Sequence, residues 1–479
     1  MSVDPQLLGT IDELGPQYAA LSDAIWDNPE LRWEEHASVD AQIAAAEAEG
    51  FTVTRSVAGI PTAFSAEAGS GQPVIAIVGE YDALAGLSQK SGSAVPEPEP
   101  GNESGNGQGC GHHLLGGGSL LAATAVKRYL DANGLPGTVR YYGCPAEEAA
   151  AGKTFMVKEG AFDDVDAAVS WHPGDTTTVQ RIRTLAYVQA YVRFTGIAAH
   201  AGVSPERGRS ALDALELMNV GTNFLREHMP SDCRIHYAIL DTGGRSPNVV
   251  QASAEAYYLV RSPDVAGMRE LFARVTKIAE GAALMTETTV EIEIDGGCSD
   301  ILPNVVLEDS MQERLRELGP VPFDDTDLAS AEAFTTKTAS GRTASTLGGE
   351  FDGDGSALHT GIVTFDARSA RPTMTGSSDL GDVSWVTPLV QCATACVCVG
   401  TAAHSWQMVA QGKLPAAHKG MIHAAKIMAS TAVDLLTDAE LLASARKEFS
   451  TRTAQTPYDS PLPDGIVAPP LREIVAVAQ

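Results

Sequence analysis

The stretch GQGCGHHLLGGG, residues 107–118, places Cys110, His112 and His113 between glycines. Three readings fit it: a metal site, a Cys/His nucleophile pair, or a packed glycine turn with no chemistry. If a metal binds, either histidine is a candidate ligand. Further along stand Glu147 and Glu148 in CPAEEAAAGK, His172 in WHPGD and His404 in GTAAHSWQ. Each has an ordinary explanation alone, since a free cysteine is usually core and a glutamate pair is usually a solvated turn. Together they offer thiol, imidazole and carboxylate groups. Thiolate and imidazole prefer zinc, while carboxylates also accept manganese. A hydrolase built on one or two such ions needs one carboxylate that is not locked to metal. That group takes a proton from water, whose pKa the ion lowers from ~15.7 to about 7, and later gives it to the leaving amine. The Glu147-Glu148 pair can fill both roles, one free and one ligating.

The elements that carry these residues follow from hydrophobic spacing. PVIAIVGEYDAL is a short apolar run like a buried strand, and LLGGGSLLAATAVKRYLDANG reads as a helix stopped by Gly134. GTVRYYGC and DVDAAVSWHPG read as further strands. Strands alternating with helices imply βαβ units and a mostly parallel sheet. Ligands in such sheets gather beyond the carboxyl ends of the strands. Glu80, Asp82, Glu147, Glu148 and His172 all fall there. The segment SQKSGSAVPEPEPGNESGNGQG, rich in Ser, Gly, Pro and Glu, reads as a long flexible surface loop leading into Cys110. From residue 184 the texture changes to a β-α-β-β-α-β order, the ferredoxin-like plan. The expected architecture is therefore an α/β catalytic domain (1–183 and 298–479) with an inserted α+β domain at 184–297.

The chain has 479 residues, a size at which two domains are expected, and its net charge of -28 would repel nucleic acid and anionic membranes. Its start lacks a basic and apolar leader, and no apolar run is long enough to span a bilayer. Seven cysteines, odd in number and scattered, do not form a disulfide framework, so a reducing cytoplasm is expected. Cys392, Cys396 and Cys398 lack the spacing of an iron–sulfur cluster and read as buried core. GGEFDGDG (348–355) lacks a calcium-loop pattern and reads as a turn, and GGG at 116–118 lacks the Lys and Ser/Thr of a phosphate loop.

GCGHHLLG, GCPAEEAAAGKTFM, WHPGD, FTGIAAHAG and GTAAHSWQ, in that order, resemble the M20 metallopeptidase/amidohydrolase family. The likeness is nearest to the aminobenzoyl-glutamate hydrolase branch, more distant to the hippurate and auxin-conjugate hydrolases, and covers nearly the whole chain. It implies a two-metal site of zinc or manganese held by Cys110, His112, Glu148, His172 and His404, with Glu147 as general base. It implies that the inserted domain is a lid and dimerisation domain. His200 then reaches a partner's active site, Asn248 lies near the substrate, and Arg261 binds a substrate carboxylate. The chain departs from the family where H-x-D is replaced by Glu80-Tyr81-Asp82, which leaves Asp82 to orient a ligand from behind. His113 stands where Asn or Asp is usual and is placed in the pocket or behind the ligands, and Gln108 stands where His is common.

The implied activity is hydrolysis of the amide of an N-acyl or N-aroyl amino acid, aminobenzoyl-glutamate-like. Dipeptides and aromatic amines are the alternative substrates. The expected partners are a second copy of the chain, joined through the inserted domain, and a related sister subunit. Two other classes compete. A thiol hydrolase with Cys110 as nucleophile leaves Glu147, Glu148, His172 and His404 idle. A binding subunit that kept only the scaffold has no use for a complete ligand set.

Overall fold

The computed structural model describes residues 3–335, 355–365 and 371–468. Its strands, in chain order, are β1 (Thr52–Arg55), β2 (Phe64–Ser70), β3 (Val74–Glu80), β4 (Gly137–Cys144), β5 (Ala167–Gly174) and β6 (Thr178–Val179). β7 (Ala186–Thr195), β8 (Arg234–Asp241), β9 (Ser253–Ser262) and β10 (Thr289–Cys298) follow, and β11 (Leu389–Ala395) comes last. They form two sheets. One is seven-stranded with order β1-β2-β4-β3-β5-β11-β6, and the other is four-stranded with order β10-β7-β9-β8.

The large sheet has a parallel centre, β4-β3-β5-β11, and antiparallel pairs at both sides. Its middle strand β3 is buried at every position, as the unbroken apolar run PVIAIVGE requires of a strand covered on both faces. Helices Pro5–Asp27, His112–Asn133 and Pro415–Thr437 pack together over this sheet around Tyr18, Leu120, Trp171 and Met421. The small sheet is antiparallel throughout. Its strand β9 alternates buried and partly exposed positions, the pattern of a sheet covered on one face. Helices Ala211–Leu225 and Val265–Thr286 cover that face and close a separate core around Leu215, Tyr258 and Val275. Element order and strand order together are those of a ferredoxin-like unit set into the α/β chain.

The expected stop at Gly134 is a left-handed cap at φ 60°, which accounts for the glycine there. The three glycines at 116–118 are packing residues. A Cβ on Gly116 would lie 2.6 Å from the Glu80 carbonyl oxygen, and one on Gly118 would lie 2.9 Å from the Trp171 ring. The helix can therefore lie directly on the end of β3. Gly116→Ala is expected to lower stability by roughly 1–3 kcal/mol through overpacking; an unchanged denaturation midpoint would contradict that close approach.

The Pro/Glu/Ser segment holds no helix or strand beyond the isolated Leu84–Gly107 bridge at its end, but it is internally tied. The Gln89 amide donates to the Val95 carbonyl at 3.0 Å and accepts from the Glu97 amide at 2.9 Å. Cys392, Cys396 and Cys398 are buried. Of the stretch 348–355, residues 348–354 lie outside the described residues.

Candidate metal centre

Five of the residues singled out in the sequence come together at the carboxyl ends of β3, β4 and β5. Cys110, His112 and His172 offer donor atoms within 4.8 Å of one another, and so do Cys110, Glu148 and His404. Cys110 belongs to both groups, so it could serve an ion at either one. Donors that share an ion through bonds of ~2.0–2.3 Å sit roughly 3–3.5 Å apart. Cys110 Sγ lies 3.5 Å from His172 Nε2, and His404 Nε2 lies 3.1 Å from Glu148 Oε1.

The imidazoles are aimed by their other nitrogens. His112 Nδ1 is 2.8 Å from Asp82 Oδ1, and His172 Nδ1 donates to the Pro173 carbonyl at 2.8 Å. Each Nε2 is thereby left for the site, the usual way a histidine ligand is oriented. Asp82 also accepts the Glu148 backbone amide on Oδ2 at 2.8 Å, so one carboxylate sets two candidate ligands. His404 reaches in from the far end of the chain. Its amide donates to the Gly109 carbonyl at 2.8 Å, and its backbone is left-handed at φ 58°. Gly111 is left-handed at φ 80°, and a Cβ there would meet Pro173 at 2.7 Å and Met408 at 2.8 Å.

Two buried atoms test whether these residues suit a metal. His112 Nε2 and Glu148 Oε1 make no well-directed hydrogen bond, their nearest polar neighbours being Glu80 Oε2 at 3.2 Å and His404 Nε2 at 3.1 Å. Such orphans are costly in a folded core unless something else satisfies them, and a divalent ion meets both needs. The thiol, imidazole and carboxylate donors suit zinc or manganese. The electrostatics agree. Burial pushes the Cys110 thiol up, but His112 and His172 together outweigh it and bring the thiol down to about 6. Burial also raises Glu148, yet the His404 imidazole holds it below the ordinary carboxylate range.

Glu147 differs from Glu148. It belongs to neither triad, but its carboxylate groups with His112 and Glu80 within 4.8 Å. Burial, followed by the charges of Glu80, Glu148 and Asp379, pushes it well above the ordinary carboxylate range, so it holds a proton readily. Behind it lies a buried network that spacing arguments missed. The Lys153 ammonium, 0% exposed, sits 2.6 Å from both Glu80 Oε1 and Asp379 Oδ1. Nothing in AGKTFM marks Lys153 as interior, because both its partners lie far away in sequence.

Residues 76–334 match the profile of Peptidase family M20/M25/M40. Over 468 residues the chain is 48% identical to one of the subunits of p-aminobenzoyl-glutamate hydrolase of Escherichia coli (strain K12), covering 95% of this chain and 96% of that protein. The chain belongs to the M20 peptidase family. It is a metal-dependent hydrolase. This M20 chain is also 29% identical over 457 residues to Xaa-Arg dipeptidase of Mus musculus, covering 92% and 91% of the two chains. Its fold is that of a dinuclear metal-binding M20 peptidase from Bacillus subtilis, with a TM-score of 0.53 at 17% identity over 89% of this chain and 99% of that one.

Four expected site residues of the M20 chain stand elsewhere. His113 is buried and donates from Nε2 to the Gly412 carbonyl at 3.0 Å, and burial holds it down to about 3, so it is neutral. Neighbouring residues on a helix point about 100° apart, and His113 turns to the Gly412 carbonyl while His112 turns to Asp82. His200 is exposed on the inserted unit, and its Nδ1 accepts from the Gly202 and Val203 amides at 3.2 Å each. Asn248 is exposed beside it, its carbonyl accepting from the Ala201 amide at 2.9 Å. Arg261 donates to Ser377 Oγ at 2.5 Å and lies over the Tyr187 ring. Gln108 is buried and joins the cysteine loop to β3, donating to the Tyr81 carbonyl at 3.3 Å.

Proposed function

We propose that this chain hydrolyses the amide bond of an N-acyl or N-aroyl amino acid, of the aminobenzoyl-glutamate kind, with Glu147 as general base. The observation that carries the reading is the pair of donor triads sharing Cys110, with Glu147 outside both and grouped instead with His112 and Glu80. Cys110, His112 and His172 would hold one divalent ion, and Cys110, Glu148 and His404 a second, zinc or manganese in each case. When bound, the ions supply Lewis acidity for the scissile carbonyl and acidify the attacking water. Glu147 takes the proton of that water on its carboxylate and hands it to the departing nitrogen. Its raised affinity for a proton suits the second half of that task. Asp82 keeps His112 and Glu148 in register throughout.

Residues 184–297 serve in this reading as lid and dimerisation unit. The loops bearing His200 and Asn248 are exposed in one chain, which suits delivery to the site of a second copy, where His200 would steady the developing oxyanion. Arg261 would exchange Ser377 for a substrate carboxylate. Support for a sister subunit comes from the relative's own name, which denotes one subunit of its hydrolase. No helix of the described residues is long and apolar enough to cross a membrane, and a cytoplasmic place fits the free thiols.

The test is a hydrolysis panel on the purified, metal-loaded single chain, read by amine release. Aroyl- and acyl-amino acids are expected to be turned over well above dipeptides and aromatic amines. A preference for dipeptides, or for release of ammonia from aromatic amines, would replace the substrate assignment. Activity only after adding a sister chain would place this protein as an obligate subunit.

A further inference from the structure

Glu147 and Glu148 open a single helical turn, Glu147–Ala150, bounded by two left-handed alanines, Ala146 at φ 56° and Ala151 at φ 62°. Side-chain-bearing residues rarely adopt this conformation and keep it only where their surroundings enforce it. The neck of the turn is closed tightly. The Gly152 amide donates to the Ala146 carbonyl at 3.1 Å, and a Cβ on Gly152 would fall 2.0 Å from the Pro145 carbonyl oxygen. Buried carboxylates hold its amides from outside. Asp82 takes the Glu148 amide and Asp379 the Lys153 amide, each at 2.8 Å.

The amide of Ala146, immediately before Glu147, goes to Glu35 Oε1 at 2.8 Å. Glu35 is 0% exposed, opens the His36–Ala48 helix, and belongs to no donor group among the described residues. Its second oxygen is buried without a hydrogen-bond partner, beside the Thr62 hydroxyl. Burial, followed by the charge of Asp82, pushes this carboxyl up to about 8.

We infer that Glu35 is a positioning residue for the reaction, holding Ala146 left-handed so that Glu147 leaves the end of β4 at the angle that presents its carboxylate to the site. The inference rests on the reading of Glu147 as base. Without the acceptor at residue 35, the Ala146 amide is left buried and unpaired, and it regains a partner only by turning out of the left-handed region. That rotation swings Glu147 directly. Glu148 is one residue further on and is separately held by Asp82, so metal binding survives.

The experiment combines Glu35→Gln, Glu35→Met and Ala146→Gly with Glu147→Gln, measuring kcat, KM and bound metal. Glutamine keeps the acceptor and stays within about twofold of the parent. Methionine keeps the shape but not the acceptor, and lowers kcat roughly 10–100-fold, the scale of a misplaced catalytic group, with KM and metal content unchanged. Ala146→Gly in the methionine background restores most of kcat, because glycine is left-handed without steric cost. In the Glu147→Gln background, Glu35→Met changes nothing further. A Gln variant down tenfold, a Met variant with full kcat, or a Met variant that sheds metal overturns the inference. If the Met variant does not fold, the Gln variant decides. Near-normal turnover of Glu147→Gln alone removes the base reading and this inference with it, a failure told apart by that single variant.

Discussion

Glu147→Gln lowers turnover by roughly 10³-fold while the bound metal stays in place, the scale of losing a positioned acid–base group. The expectation follows from the division of labour between adjacent glutamates. Glu148 groups with Cys110 and His404, whereas Glu147 groups with His112 and Glu80 outside both triads. Glutamine is the same size and still accepts a hydrogen bond, so the fold and the substrate pocket are preserved and KM moves little. What it cannot do is carry a proton. Kinetics alongside metal analysis of the same sample check this. Loss of metal together with activity would mean that Glu147 is a ligand, and retained turnover would mean that the base lies elsewhere.

Cys110→Ala empties both sites together and drops turnover at least ~10³-fold, since several kcal/mol of Lewis-acid stabilisation disappear. Cys110 is the one donor common to both triads among the described residues. His404→Ala, by contrast, reaches only the triad with Glu148. The same cysteine, lowered to about 6, would also serve as a nucleophile. The two roles separate cleanly. A nucleophilic thiol enzyme keeps its activity in a chelator and loses it to an alkylating reagent. A thiolate locked to metal is silenced by the chelator and, while the metal is bound, is shielded from the reagent.

Much of this arrangement was legible in the sequence because local rules carry it. β3 reads as buried from its unbroken apolar run, the His112–Asn133 helix stops at a glycine suited to a left-handed cap, and the order of elements from 184 onward reads as β-α-β-β-α-β. Those elements alone bring Glu80, Asp82, Glu147, Glu148 and His172 to one end of the sheet. What could not be read depends on contacts between distant parts of the chain. Glu35 meets Ala146 across 111 positions, and Lys153 meets Asp379 across 226. No period or spacing encodes such pairs. The direction of His113 was not legible either, because one helical step from His112 turns it to the Gly412 carbonyl, far along the chain. Composition could not warn that Lys153, an amphipathic side chain normally at the surface, would be wholly interior between two carboxylates.

Stripping the purified chain of metal and reloading it shows whether two ions held through Cys110 carry the activity. Amine release from an aminobenzoyl-amino acid and metal content are followed together as zinc or manganese is titrated in. The metal-free chain is expected to be inactive, its turnover returning as metal is taken up and levelling off near two ions per chain, with Cys110→Ala binding neither. A metal-free chain that still hydrolyses the amide, or a Cys110→Ala chain that loads and works normally, would contradict it.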